Sequence, residues 1–131
     1  MKMIEKGISA VIHHKVTENE TAAVVKSGSL PVLATPVLSA LMEETACKAL
    51  APYLKEKETT VGGFIALTHK APTLPGRTVT VTATVTAVEG KKISFVITAA
   101  DEGGEIGSAT HDRFLVGVDK FMERAAGRYG K

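Results

Sequence analysis

Residues 77–88, RTVTVTATVTAV, alternate in character for twelve positions. Val79, Val81, Ala83, Val85 and Ala87 fall on one face of an extended chain, and Thr78, Thr80, Thr82, Thr84 and Thr86 on the other. Period-two alternation of β-branched residues predicts a strand with one buried face, because successive side chains of an extended chain point to opposite sides. The turn EGK (89–91) follows, and then KISFVITAAD (92–101) repeats the pattern with Ile93, Phe95, Ile97 and Ala99 on one face. DEGGE (101–105) turns the chain again into IGSATHDRFLVGV (106–118). Consecutive strands joined by such tight turns must run antiparallel.

An antiparallel sheet with one apolar face needs a cover. Upstream, TPVLSALMEETACKAL (35–50) supplies it. Thr35 reads as an N-cap and Pro36 as the first helical residue, where the missing N–H costs nothing. Strong helix formers run to about Leu50, and Pro52 stops the helix soon after. The segment is apolar around most of its circumference, which predicts a buried, central helix. Residues 8–17 (ISAVIHHKVT) and 60–69 (TVGGFIALTH) read as further strands, and 119–128 as a short closing helix. ENETAAVVKSG, within 18–34, reads as a short strand or a turn, and SGSLPVLA as a loop into the helix. The expected fold is therefore α+β, one domain over 1–131, with about five antiparallel strands wrapped around one long helix. A Thr-rich outer face and an open sheet edge favour association into a dimer or larger oligomer.

Composition narrows the function. The chain has 131 residues, a net charge of +2, no Trp, two Tyr and four Phe. Its cations are scattered and its aromatics too few for a stacking platform, which excludes a nucleic-acid surface. The single cysteine, Cys47, rules out an internal disulfide and a multi-cysteine zinc site. No stretch approaches the roughly 20 apolar residues that span a bilayer. MKMIEKGISAVIHHKV has no uninterrupted apolar core of a signal peptide, so a cytoplasmic location is expected.

The candidate chemistry is concentrated in the helix and the strand after it. Glu44 has Lys48 four residues on and reads as one half of a solvated pair. Glu43 lies on a small, mostly apolar face with Pro36, Ser39, Ala40, Ala46, Cys47 and Leu50. A carboxylate there is costly unless partnered, so it reads either as a functional group or as a side chain snorkelled to water. His69 ends a strand beside the Pro-rich loop KAPTLPG, where functional groups often sit, although a loop or core histidine would read the same. Thr35 stands at a helix N-terminus, whose free N–H groups suit a thioester oxygen or a phosphate. Paired glycines weaken a strand, so Gly62 and Gly63 mark a bulge or a close approach of backbone, and an N–H there could serve an oxyanion. Cys47 reads as a buried, inert thiol. His13, His14 and His111 lie in predicted strands and assemble no metal cluster, so no metal is assigned.

Three segments together carry a resemblance: ATPVLSALMEETACKALAPYL (34–54), TVGGFIALTHKAPTLPGRTVTVTATVTAVEGKKISF (60–95) and EIGSATHDRFLVGVDKF (105–121). Over residues 30–121 the chain resembles the fluoroacetyl-CoA thioesterase-like branch of the hotdog superfamily. That resemblance implies a hotdog fold, a homodimer with acyl-CoA at the subunit interface, and no cofactor beyond the coenzyme A of the substrate. It implies a hydrolytic triad of Thr35, Glu43 and His69, with Gly62 near the thioester and Arg113 in the pocket or interface. Gly63 is counted with the substrate-binding residues. The stretch before Thr35 has Leu30 and Leu33 where the fluoroacetyl-specialised form has aromatics. An aliphatic pocket for a short or medium acyl chain is therefore expected rather than fluoroacetyl selectivity. Lys70, Arg77 and Arg113 are the candidates for pairing with CoA phosphates. The alternatives are a non-catalytic acyl-CoA-binding module and a hotdog hydratase or dehydratase.

Overall fold

The computed structural model describes residues 3–130. Five strands form one sheet: β1 (Ser9–Lys15), β2 (Glu58–His69), β3 (Thr78–Glu89), β4 (Lys92–Asp101) and β5 (Gly104–Gly117). Their spatial order is β1-β3-β4-β5-β2, and every pairing is antiparallel. Three α-helices lie among the described residues: α1 (Ala22–Val25), α2 (Thr35–Leu50) and α3 (Val118–Gly127).

The alternation read from the sequence sets the sheet's two faces. Val79, Val81, Ala83 and Val85 of β3 are buried, as are Ile93, Phe95, Ile97 and Ala99 of β4. The pattern in β3 ends at a bulge between Val85 and Ala87, which turns Ala87 out of the core. Against this face lies α2, whose buried positions are Leu38, Leu41, Met42, Thr45, Ala46, Ala49 and Leu50. Those positions recur at three- and four-residue spacing and make one continuous stripe. Thr45 can be buried there because its hydroxyl donates to the Leu41 carbonyl at 2.7 Å. The long helix in the curl of an antiparallel sheet is the hotdog arrangement.

Several expectations are corrected. The helix is buried on one side only: Pro36, Ala40, Glu44, Cys47 and Lys48 are exposed. Cys47 is thus an exposed thiol and not a buried one. Lys48 Nζ donates to the Val11 carbonyl at 2.9 Å in place of the expected pair with Glu44. Thr35 is not the N-cap: that position is Ala34, and no side chain caps the helix. Residues 18–34 hold a 3-10 turn at Glu18–Glu20 and the short α1, tied back by a bridge between Thr21 and Leu33.

Candidate active site

Two clusters of polar side chains lie on the inner side of the sheet. The first is at the start of α2. Thr35 Oγ1 and His69 Nδ1 are hydrogen-bonded at 2.8 Å. With no capping duty, the threonine hydroxyl is free for this contact. His69 sits at the end of β2, opposite Gly107 of β5. An ideal Cβ on Gly107 would stand 2.8 Å from the Thr68 carbonyl and 3.3 Å from Leu38, so only glycine lets helix and strand close around the histidine. His69 Nε2 is buried with no hydrogen-bond partner. Burial lowers the His69 pKa from its ordinary value, with the Ala71 backbone opposing this in part, so the ring favours its neutral form. Thr35 and His69 open on a cleft of about 250 Å³ whose walls include Ala22, Val32 and Leu33. Leu33 is buried in that wall, whereas Leu30 is 64% exposed and does not line it.

The second cluster surrounds Glu43, two turns along α2. Its carboxylate lies 3.7 Å from Arg113 Nη1. Arg113 is buried, and Thr60 accepts from its other two nitrogens: the hydroxyl from Nε at 2.9 Å and the carbonyl from Nη2 at 3.0 Å. His111 Nε2 is 3.2 Å from Nη1. Beneath this group runs the backbone of Gly62. An ideal Cβ there would stand 2.6 Å from Glu43 Oε2, 3.3 Å from Arg113 Nη1 and 3.4 Å from His111 Cε1. Gly62 is therefore the floor of the cluster, and any side chain would displace the carboxylate. Gly63 is the extra residue of a bulge in β2, with the Phe114 ring packed where its side chain would go. The paired glycines thus do both things the sequence suggested, one making the close approach and the other the bulge.

Within one chain the two clusters stay apart. Eight residues of helix separate Thr35 from Glu43, roughly 12 Å of rise. Seven strand residues separate Gly62 from His69, on the order of 20 Å. The candidate phosphate partners also divide. Lys70 is paired with Glu105 at 3.1 Å, and Arg77 lines a cleft with Asp101, Glu102 and Glu105, a poor setting for an anion. Arg113 is engaged with Glu43 and Thr60. Among the described residues no group of three or more His, Cys, Asp or Glu is placed to hold a metal ion. Sequence reasoning passed over His111 and Thr60. The signal for His111 was present, because strand periodicity puts it on the same inward face as Arg113, two polar residues on a face otherwise reserved for the core.

The sequence pattern of the fluoroacetyl-CoA-specific thioesterases matches residues 16–119. A fluoroacetyl-CoA thioesterase of Streptantibioticus cattleyicolor is 46% identical over 90 residues, which are 69% of this chain and 65% of that protein's length. The match thus spans just under two thirds of that relative. A crystal structure of a variant of the fluoroacetyl-CoA-specific thioesterase superposes with a TM-score of 0.90 at 34% identity, covering 100% of both chains. A thioesterase superfamily member from Thermus thermophilus superposes with a TM-score of 0.88 at 29% identity, covering 98% of both. The fold and these matches agree: the chain belongs to the fluoroacetyl-CoA-specific thioesterase family of hotdog-fold proteins.

Proposed function

We propose that this protein is an acyl-CoA thioesterase that hydrolyses a short- or medium-chain acyl-CoA to the free acid and CoA, with Thr35, Glu43 and His69 as its hydrolytic residues. The observation that carries the reading is the Thr35–His69 hydrogen bond. It occupies a threonine with no structural duty and a histidine whose other nitrogen is buried without a partner. An unpaired buried nitrogen is costly unless something arrives to satisfy it. In hydrolysis one water is consumed: its oxygen joins the acyl carbon, the C–S bond breaks and the sulfur leaves as the thiol. The Glu43 carboxylate either takes a proton from that water as it attacks, or attacks first itself, expelling the thiolate and forming an anhydride that the water then opens. His69, kept neutral by burial, moves the proton, with Thr35 fixing its ring. Backbone close to Gly62 and the positive dipole end of α2 suit the developing oxyanion. The wall of Ala22, Val32 and Leu33 suits a short aliphatic acyl group, and no aromatic side chain lines the cleft.

The working form in this proposal is a homodimer. β2 is an edge strand, and Gly62, Gly63, Phe64 and Ala66 are exposed along it, with Phe64 at 55%. Such an edge is a template for another strand. Pairing β2 antiparallel with its own copy about Ile65 and Ala66 sets His69 of one protomer opposite Gly62 of the other. Glu43 of one chain then meets Thr35 and His69 of its partner, which closes a gap that a single chain leaves open.

The test is thiol release from acyl-CoAs of two to ten carbons and from fluoroacetyl-CoA, with Glu43→Ala beside the wild type. Hydrolysis that Glu43→Ala abolishes while its melting temperature holds supports the reading, and the panel names the acyl group. Binding of acyl-CoA without thiol release by the wild type overturns it in favour of a non-catalytic module.

A further inference from the structure

His111 is 1% exposed and belongs to no step of the hydrolysis described above. Its two ring nitrogens face partners that leave no choice of protonation. Nδ1 lies 2.7 Å from the Phe64 carbonyl, which can only accept, so Nδ1 carries the proton. Nε2 lies 3.2 Å from Arg113 Nη1, which can only donate, so Nε2 is a bare lone pair. The imidazole is thus a neutral bridge with one defined tautomer. One end ties it to β2 just past the bulge, and the other to the guanidinium facing Glu43.

Every side of the ring is accounted for. Phe64 approaches from β2, Arg113 lies beside it on β5, and Glu43 faces it from α2. From β4 comes the Phe95 ring, tilted, with its centroid 6.1 Å away. Asp112 precedes Arg113 on β5 and is bonded to Ser94. Burial lowers the pKa of His111, and the Arg113 charge adds to this against the opposing pull of Phe64, Glu43 and Asp112. A protonated ring would set an N–H against the Arg113 N–H and break the bridge.

We infer that His111 is a positioning residue: its neutral imidazole holds the Arg113 guanidinium against Glu43 and ties that pair to the bulged strand carrying Gly62. The inference rests on the reading of Glu43 as the hydrolytic carboxylate. Arg113 has three neutral partner atoms and one charged one, Glu43. The three neutral contacts orient the guanidinium, and the orientation is then passed to the carboxylate. Thr60 fixes two of the three nitrogens. Nη1, the one aimed at Glu43, depends on His111 alone for its neutral contact.

Two substitutions separate the two bonds of the ring. His111→Asn places a donor where Nδ1 was and keeps the bond to the Phe64 carbonyl, but it removes the acceptor for Arg113. His111→Gln places an acceptor where Nε2 was and keeps Arg113, but it loses the strand bond. Positioning predicts that His111→Asn lowers kcat by about tenfold or more with KM little changed, because a shift near 1 Å at the reacting carboxylate is costly. It predicts that His111→Gln stays within about threefold of wild type at an equal loss of melting temperature. Equal activities in the two variants, or activity that simply follows melting temperature, would overturn the inference. Imidazole ¹⁵N NMR of the wild-type protein gives a second test that needs no variant to fold. A neutral Nδ1–H ring between pH 6 and 8 is expected, and an Nε2–H or charged ring over that range refutes the bridge. Failure here is distinct from failure of the hydrolytic reading: Glu43→Ala would still be inactive while His111→Asn worked normally.

Discussion

Adding one methyl group at Gly62 is the sharpest perturbation the structure offers. Gly62 is not in the left-handed region, so alanine fits the backbone without strain. The new Cβ would stand 2.6 Å from Glu43 Oε2, about 0.8 Å inside ordinary van der Waals contact. The obstructed atom is the tip of a flexible side chain whose surface is 42% exposed, so the collision is relieved by rotating the carboxylate outward. Rotation moves Glu43 away from Arg113 and away from whatever it attacks. Folding is little affected: exchanging glycine for alanine in a strand loses no packing and reduces unfolded-state entropy, a change within about 1 kcal/mol. Activity is affected strongly, because a displacement near 1 Å at a reacting group costs on the order of 100-fold.

Gly62→Ala should therefore melt within a few degrees of wild type and lose between about ten- and 100-fold in kcat on its best acyl-CoA. The assay is steady-state thiol release alongside thermal unfolding at matched concentration. A variant that retains wild-type kcat would refute the reasoning, since it would mean that the carboxylate can move by the required distance without consequence. A variant that loses activity only by unfolding would equally remove Gly62 from the site and return it to the fold.

Thr35→Ala should leave stability within about 0.5 kcal/mol, because the hydroxyl caps nothing, while lowering kcat; Thr35→Ser should retain most activity, as checked by thiol release and thermal melts. Mixing inactive Glu43→Ala and His69→Ala protomers should restore about a quarter of wild-type activity if each site draws on both chains of a twofold dimer, and none if each chain is self-sufficient. Folded-state pKa values of His69 and His111 lie below their ordinary value of 6.5, so below pH 6.5 the unfolded chain takes up protons that the folded one refuses. Stability is then complete above 6.5 and is lost as pH falls through the folded values, with buried His111 contributing at most about 1.4 kcal/mol per pH unit, as urea unfolding at pH 7 and 5.5 would show.

Most of the sheet was legible because burial writes itself into strands at period two. Val79 to Val85 and Ile93 to Ala99 needed no tertiary information. Residues 18–34 were illegible for the complementary reason. The turn at Glu18–Glu20 and the four-residue α1 bury nothing, so they impose no periodicity, and a bridge from Thr21 to Leu33 holds them from outside. Small residues misled in α2: Pro36, Ala40 and Cys47 resemble core positions by composition, yet they form the exposed side of the helix.

The site shows where sequence reading stops. Thr35-Pro36 carries the signature of a helix cap, and the physics of capping accounts for it so well that the hydroxyl's partner is invisible; that partner is 34 residues away and is set by the path of β2. Glu43 raised the opposite problem, a carboxylate with no local explanation, and its explanation is two strands that meet beneath it. Gly62 and Arg113 face each other across the β2–β5 ladder, and His111 stands one inward step away from Arg113. The bulge at Gly63 makes this possible. It adds one residue to β2, so Gly62 and Ile65, three apart, both face the helix, while Phe64 turns outward. Remove the bulge and every inward residue on one side of it changes face, separating Gly62 from the run that ends at His69. A single unpaired residue in an edge strand thus keeps the floor beneath Glu43 and the histidine bonded to Thr35 on one surface.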